Sequence, residues 1–494
     1  MHKIQRTLTN SFFMLLSMPS ASMGFALSIQ ISALSWILNT KYGLDIHQVG
    51  LVWAAGPIAG ILGQVIVGII SDKVWFWNGR RRPFIIIGGV LSSLMLLALP
   101  NIDVISSALG LDGILGVAIA IALTLDLSIN VSFNPTRAII ADVTPEGEKR
   151  TKGFTWMQTM SGVLGVTAYA IGAAWGNYTL IYIGAAVVLL LSTLPAMLIT
   201  EPKVLHADLP SESEAPNTAQ SLLTFLVDIR PLWGFLIYDI YALSLHLAGI
   251  KTQHYWAELI AVVISIYFVG QALATSEKGK STTQAGVIGF RKILAAHSFS
   301  WIGVQTMFVF LFAFLQDKMP QESSSELGQT IALCFLILSA VATVVPALIL
   351  EPLSNRFGRA RVHSFCLASM AVSYLLLSWA GANHLVIYVL MAALGVGWSA
   401  IVSLPFAILS EKIEQRKMGY YMGLFNLSIV LPQLIVSLGI GLFISQAADK
   451  SVVFQISAAS LAISALAWAW IKEDKTQTEA EEQDIRSKTQ LDTQ

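Results

Sequence analysis

The sequence predicts an all-α protein that crosses a membrane many times, and three observations carry that reading. Of its 494 residues 55% are hydrophobic and 12% charged, with a mean hydropathy of +0.67, far from the composition of soluble globular domains. Apolar windows of about 20 residues, the length of a helix that crosses the hydrocarbon core, recur along most of the chain. Lysine and arginine gather in alternate loops, the charge asymmetry that orients a polytopic protein.

Spans are expected near 11–38, 48–71, 83–100, 113–140, 155–176 and 179–199, then near 231–250 and 256–274. Six more are expected near 293–315, 328–352, 362–380, 385–409, 419–445 and 452–471, fourteen in all. The first follows Lys3 and Arg6 and continues to Leu38 without a small-residue cleavage site, so it reads as a span and not as a removed signal. Lys73, Arg80, Arg81 and Arg82 share one loop and Lys149, Arg150 and Lys152 the next of that parity. Lys278, Lys280, Arg356, Arg359, Arg361, Lys412, Arg416 and Lys417 fall on the same side, whereas Lys41, Lys251, Lys318 and Lys450 are scattered on the other. Both termini are therefore expected in the cytoplasm, with the protein in the plasma or inner membrane.

Residues 201–220 are rich in Pro, Ser, Glu and Ala and read as a solvated linker, and the tail after Lys472 has too few apolar residues to fold. The loop after the second span carries Gly68, Ser71, Asp72, Lys73 and Gly79-Arg80-Arg81-Arg82; the loop after the tenth carries Asn355-Arg356-Phe357-Gly358-Arg359-Ala360-Arg361. A signature repeated at matching positions implies two six-helix halves, the major facilitator fold. The expected organisation is a six-helix bundle over 1–200, a cytoplasmic linker over 201–230, an extra transmembrane hairpin and loop over 231–292, a second six-helix bundle over 293–472 and a disordered cytoplasmic tail over 473–494.

Several function classes are excluded by what the chain lacks. The net charge is +0, with 30 basic and 30 acidic residues, so no global excess attracts nucleic acid. There is no GxxxxGK[ST] loop for ATP-driven transport, no HExxH and no Cys/His cluster, so neither an enzyme nor a cofactor or metal is expected. Cys334 and Cys366 lie in or beside apolar segments and read as small hydrophobes.

The most informative residues are Asp126 and Arg137, eleven positions apart within the apolar stretch 113–141. Ionisable groups at membrane depth mark transport pathways. Eleven residues return to nearly the same helix face at a separation of about 16 Å, too far for one ion pair but suited to one polar cavity. Desolvation favours the neutral form of a carboxyl, which suits Asp126 to carry a coupling proton; the other reading is a structural pair with a cation on another helix. Arg137 keeps its charge and offers a planar fork to sugar hydroxyls, or else snorkels toward the interface near Asp142. Pro135 kinks the helix between these positions and frees carbonyls there.

Gly56-Pro57-Ile58-Ala59-Gly60, Gln64, Val67-Gly68, Ser71-Asp72 and Gly79-Arg80-Arg81-Arg82-Pro83-Phe84-Ile85 closely resemble the second-span signature of the sucrose:proton symporters, in the glycoside-pentoside-hexuronide:cation symporter group of the major facilitator superfamily. Asp126, Asn130, Pro135, Arg137, Ala138 and Ala141-Asp142 resemble that family's fourth span. Glu351-Pro352, Gly358-Arg359-Ala360-Arg361-Val362, Leu404-Pro405-Phe406-Ala407, Gly423, Asn426-Leu427 and Pro432-Gln433 resemble its late spans. The resemblance covers most of the chain outside the hairpin 231–274 and the tails. It implies proton-coupled uptake of a glucoside, such as sucrose or maltose, by a protein functional as a monomer in the lipid bilayer. Ile129 and Phe133-Asn134 depart from the family at positions the resemblance puts near the sugar.

A sugar site needs amide and carboxylate groups beside aromatic platforms. The expected contacts are Arg137, Gln64, Asn130, Asn134, Gln158, Trp301, Gln305 and Asn426, with interhelical hydrogen bonding as each one's alternative role. Trp36 and Trp53 read as interfacial belt residues, and His47 as a loop histidine able to titrate near neutrality. Asp72 with Arg80, Arg81 and Arg82 is expected to brace one conformational state, or simply to enforce topology, and Asp317 to gate the outer mouth. Two rival readings stay open: a sodium-coupled or uncoupled carrier of another solute, and a non-transporting sensor or assembly factor on the same scaffold.

Overall fold

A computed structural model of the chain describes residues 5, 7–60, 74–111, 113–145, 148–201, 218–250, 256–413 and 418–471. The described residues are helical throughout and form no named strand. In chain order the helices are α1 (Asn10–Thr40), α2 (Ile46–Trp53, with helical backbone to residue 60), α3 (Arg82–Ala98), α4 (Ile102–Ala108), α5 (Ile114–Val143) and α6 (Glu148–Leu198). Then come α7 (Thr218–Asp228), α8 (Trp233–Leu247), α9 (Trp256–Ala274), α10 (Thr282–Lys318) and α11 (Ser324–Val345). The chain ends in α12 (Glu351–Phe357), α13 (Arg359–Leu377), α14 (His384–Lys412), α15 (Met418–Ile435), α16 (Gly441–Gln446) and α17 (Val452–Ala469).

Local chemistry sets several starts. Thr9, Ser281 and Asn383 each accept a backbone N–H of the helix they precede, and Asp45 with Gln48 forms a reciprocal capping box on α2. Eleven helices among the described residues are long and apolar enough to cross a membrane. One of these, Lys152–Leu198, is two arms joined at Gly176, whose φ of 84° a side chain would resist. Both arms lie along the same stretch of α1: Ser161 meets Gly24, Ser28 meets Gly165, and Ile29 meets Gly184. α8 has 15 residues, short for a span, and the expected second span leaves the described residues after residue 60.

The helices pack as two groups. In the first, α1 lies on α6 and α5, and α3 on α5 and α6; in the second, α10 and α13 lie on α17, and α11 and α13 on α14. Contact between the groups is made chiefly by α6 on α11 and by α2 on residues 436–446. Small residues allow it, since lipid supplies no hydrophobic drive and close backbone approach must do so instead. A Cβ on Gly172 would lie 2.9 Å from Ala332, and one on Gly50 would lie 2.8 Å from the Ser437 carbonyl.

The seam is closed at one end and parted at the other. At the end opposite the basic loops, the Ser35 hydroxyl donates to the Val309 carbonyl (2.8 Å), Trp36 Nε1 to that of Ser324 (2.5 Å) and Gln316 Nε2 to Asn39 Oδ1 (3.2 Å). From there α6 and α11 stay paired through Gly172 with Ala332 and Gly162 with Thr343. Beyond that level Gln158 and Thr159 are exposed on one side, and Val344 and Leu348 on the other. The groups therefore diverge toward the end that carries Arg80, Arg81 and Arg82. Gly172→Ala is expected to destabilise the protein by about 1 kcal/mol or more, because the added methyl overlaps the Ala332 methyl and crowds Leu180, whereas Gly116→Ala, in open space, should stabilise by up to about 1 kcal/mol; thermal unfolding in detergent reads both.

Candidate functional site

α5 carries the two intramembrane charges, and the structure gives them opposite environments. Asp126 is 5% exposed and accepts one side-chain hydrogen bond, 2.9 Å from Gln30 Nε2 on α1. Gly56 of the second expected span closes over it: a Cβ there would stand 3.4 Å from Asp126 Oδ2, so the glycine admits the carboxyl at van der Waals distance. No described cation pairs with Asp126. A buried carboxyl with one neutral donor and room beside it is a group that gains from neutralisation, not a settled half of an ion pair.

Arg137 lies about 16 Å further along the same helix and its side chain is exposed, with Cζ 4.3 Å from the Phe133 ring centroid. Arg137 stands six residues before the end of α5, and an exposed guanidinium within a membrane span is costly against lipid, which favours the gap where the two groups part over a lipid-facing position. Gln158 is exposed into the same level on α6. Asn130, half-buried between the two charges, donates its Nδ2 to the Asp126 backbone carbonyl at 2.8 Å, and Pro135 interrupts the helix hydrogen bonding further along.

The second group faces this with aromatic surface. Trp301 and Trp398 meet edge to face with centroids 5.8 Å apart, and Phe308 packs on Trp398 at 5.3 Å. Trp301 is held by His297, whose Nε2 accepts its indole N–H at 2.9 Å while the ring stacks on Phe425. Gln305 is buried and accepts from Gln433 Nε2 at 3.2 Å, and Asn426 is half-buried on α15. Asp126, Arg137, Asn130 and Gln158 thus belong to one group, and Trp301, Gln305 and Asn426 to the other. Gln64 and Asp72 lie outside the described residues, as does the Asn134 side chain. Gln30, His297 and Trp398 are not among the residues expected from sequence. The signal for Gln30 is an amide in the otherwise apolar run Ile29-Gln30-Ile31; His297 and Trp398 carry none beyond residue type.

At the basic-loop end the arginines are fixed by carboxylates. Glu201 Oε2 accepts the backbone N–H groups of Arg80 and Arg81, both at 2.8 Å, and Oε1 that of Arg82 at 2.7 Å. This carboxylate satisfies the orphan donors at the start of α3 and complements its positive end, a task the Arg81 side chain at the cap position does not perform. Arg81 Nε pairs with Asp142 at 3.1 Å, joining α3 to the end of α5, and Arg82 Nη2 donates to the Met197 carbonyl at 3.0 Å.

Asp317, at the far end, is exposed and binds within its own group: Lys318 Nζ lies 3.1 Å from it and 2.5 Å from Asp449. The hydrogen bond from Lys318 pulls the Asp449 carboxyl down to about 2, so its contribution is complete above the ordinary carboxylate range and fades only as the pH falls toward that value. A cleft of about 540 Å³ at this end is lined by Trp36, Lys41, Trp175, Tyr178 and Ser324 and lies away from the gap beside Arg137.

Known proteins share this architecture. The profile of the Major Facilitator Superfamily matches residues 20–337 and 293–492. The chain is similar to the sucrose transport protein SUC4 of Arabidopsis thaliana, 24% identical over 84% of this chain and 81% of that one. It is also similar to the general alpha-glucoside permease of Schizosaccharomyces pombe, 30% identical over 32% of this chain and 31% of the relative. Among solved structures, the nucleoside transporter NupG superposes with a TM-score of 0.60 at 14% identity, over 94% of this chain and 100% of that one. The peptide transporter POT bound to sulfate gives 0.62 at 15%, over 93% and 94%. Glu201→Gln, which keeps the shape but removes the charge from three hydrogen bonds, should cost about 1.5–3 kcal/mol and lower the thermal midpoint in detergent, with Glu201→Asp giving partial recovery.

Proposed function

The chain belongs to the Major Facilitator Superfamily, and from that premise we propose that it is a proton-coupled symporter of a glucoside or disaccharide, such as sucrose or maltose, working by alternating access. The observation that carries this is Asp126, buried among the described residues without a cation and with a single amide donor. Taking up a proton removes the cost of a charge that one neutral donor cannot offset, and so prepares the cavity for a sugar. The names of the sucrose and alpha-glucoside relatives support the solute class.

In this reading Asp126 is the coupling residue and Arg137 donates its fork to sugar hydroxyls, with Asn130, Asn134, Gln64, Gln158, Gln305 and Asn426 as polar contacts and Trp301 as the stacking platform. Trp398, edge-on to Trp301, extends that platform. Residues 1–200 and 293–472 are the two rocking bundles, joined by the linker 201–230 and the hairpin segment 231–292. The basic-loop end is cytoplasmic by the positive-inside rule, so a seam parted there corresponds to the inward-facing state. Asp72, Arg80, Arg81 and Arg82 brace the conformations on that side and Asp317 belongs to the outer mouth. The protein works as a monomer in a plasma or inner membrane.

Purified protein in liposomes is expected to take up protons when sucrose, maltose or a related glucoside is added, with a saturable response to at least one of them. Asp126→Asn should abolish uphill accumulation while retaining exchange of labelled sugar across the membrane; accumulation that survives in this variant, or that tracks a sodium gradient instead, rejects the coupling assignment. Arg137→Lys keeps the charge but loses the fork, and should raise the sugar KM about tenfold or more.

A further inference from the structure

The hairpin α8–α9 holds a buried carboxyl that the transport mechanism above does not use. Asp239 is 4% exposed, and no described residue offers either of its oxygens a hydrogen bond. A buried carboxylate that no protein donor or cation meets is among the costliest groups a protein can hold, so this environment favours the neutral acid.

Its position gives that protonation a mechanical meaning. The base of the hairpin is fixed to the second group of helices: Asp228 pairs with Arg291 of α10 at 2.9 Å and accepts the Tyr420 hydroxyl at 3.3 Å. One turn into α8, Phe235 packs on Phe299 of α10 with centroids 5.9 Å apart, and the Tyr238 ring covers Gly439 in the wide turn Val436–Ile440. Beyond Asp239, Ala242 and Leu243 pack against an apolar cluster that both groups build, Leu51 and Ala54 of the α2 segment with Leu434 and Leu438 of the second group. The same wide turn receives α2 at Gly50. Asp239 therefore sits between an anchor on the second group and an apolar cluster that the two groups share at the closed end of the seam.

We propose that Asp239 is a second proton-binding site, and that the hairpin is a latch which holds the closed end only while that carboxyl is protonated. Deprotonation puts a charge into the contact between α8 and the seam, and α8 leaves the shared cluster so that the carboxylate can reach water. The inference stands apart from the identity of the solute and from the role of Asp126. Few other groups could supply the same response. On α8 the titratable neighbours are Tyr238, Tyr241 and, at its end, His246; Glu258 faces Tyr238 from α9, which also carries Tyr267; Arg230 precedes α8, α10 carries Arg291, Lys292 and His297 and, at its far end, Asp317 and Lys318, and α15 has only Tyr420 and Tyr421 at its far end. Residues 431–440, 49–60 and 114–119, which line the seam beside α8, carry no titratable side chain.

Two measurements on full-length protein in liposomes, made in the Asp126→Asn background so that the first carboxyl is silent, test this. Infrared difference spectra across a pH titration should contain a protonated-carboxyl C=O band that disappears in Asp239→Asn. Spin labels at Leu109→Cys and Gln446→Cys, on opposite groups at the closed end, should move apart as the pH is raised through that titration, and should stay close at every pH in Asp239→Asn. Asp239→Leu, apolar as well as neutral, gives the same answer if the asparagine variant does not fold. A spectrum with no band dependent on Asp239, or a label separation whose pH response survives both substitutions, overturns the proposal.

Discussion

Inside a bilayer no water stands ready to answer a polar group, and each one must be met by the protein or by a water-filled gap the protein holds open. The Asp126 carboxyl lives under that constraint. Gln30 gives it one hydrogen bond, Gly56 leaves it room, and no described cation approaches it. The surrounding architecture extends that arrangement: α1 supplies the donor, α5 carries the acid and an exposed arginine on one rod, and the two groups of helices part toward the basic-loop end, so that the arginine has somewhere wet to point. Remove the gap and Arg137 would be stranded; fill the space at Gly56 and the acid would lose its freedom to exchange.

The basic-loop end is built in the opposite way. Glu201 gathers three backbone donors that would otherwise be orphaned at the start of α3, and Arg81 ties α3 to Asp142 on α5. Such charge-assisted bonds reinforce one another and define a rigid corner. The contrast is plain: the carboxylates that hold shape are answered several times over, whereas the group proposed to carry a proton is answered once. Asp239 is the extreme case, answered by nothing among the described residues.

Much of this is legible in the sequence because membrane burial writes itself as length and composition. Asp126 and Arg137 stand out as charges in an apolar run, and the expected turn between 176 and 179 is realised as the break at Gly176. What sequence does not show is partnership over distance. Glu201 reads as the start of a linker, yet its partners lie some 120 residues away in sequence. His297 reads as a core histidine until Trp301 is seen to donate to it. Asp239 lies inside an expected span, but in the hairpin that departs from the pattern of the resemblance, so no shared position points to it. Gln64, Asp72 and Asn134 remain expectations, since their side chains lie outside the described residues.

The two wide turns carry a consequence for how the second group can move. Pro346–Leu350 continues α11 just past the level where its pairing with α6 ends, and Val436–Ile440 lies where α2 and the hairpin press on the helix that runs from Met418 to Gln446. A π turn holds one residue more than its α-helical counterpart. Converting it to α-helical geometry shifts the register of everything beyond it by one residue, a rotation of about 100°. Both seam-forming helices of the second group thus hold a store of twist, so that their far ends can present a new face to the first group while their near ends stay in register.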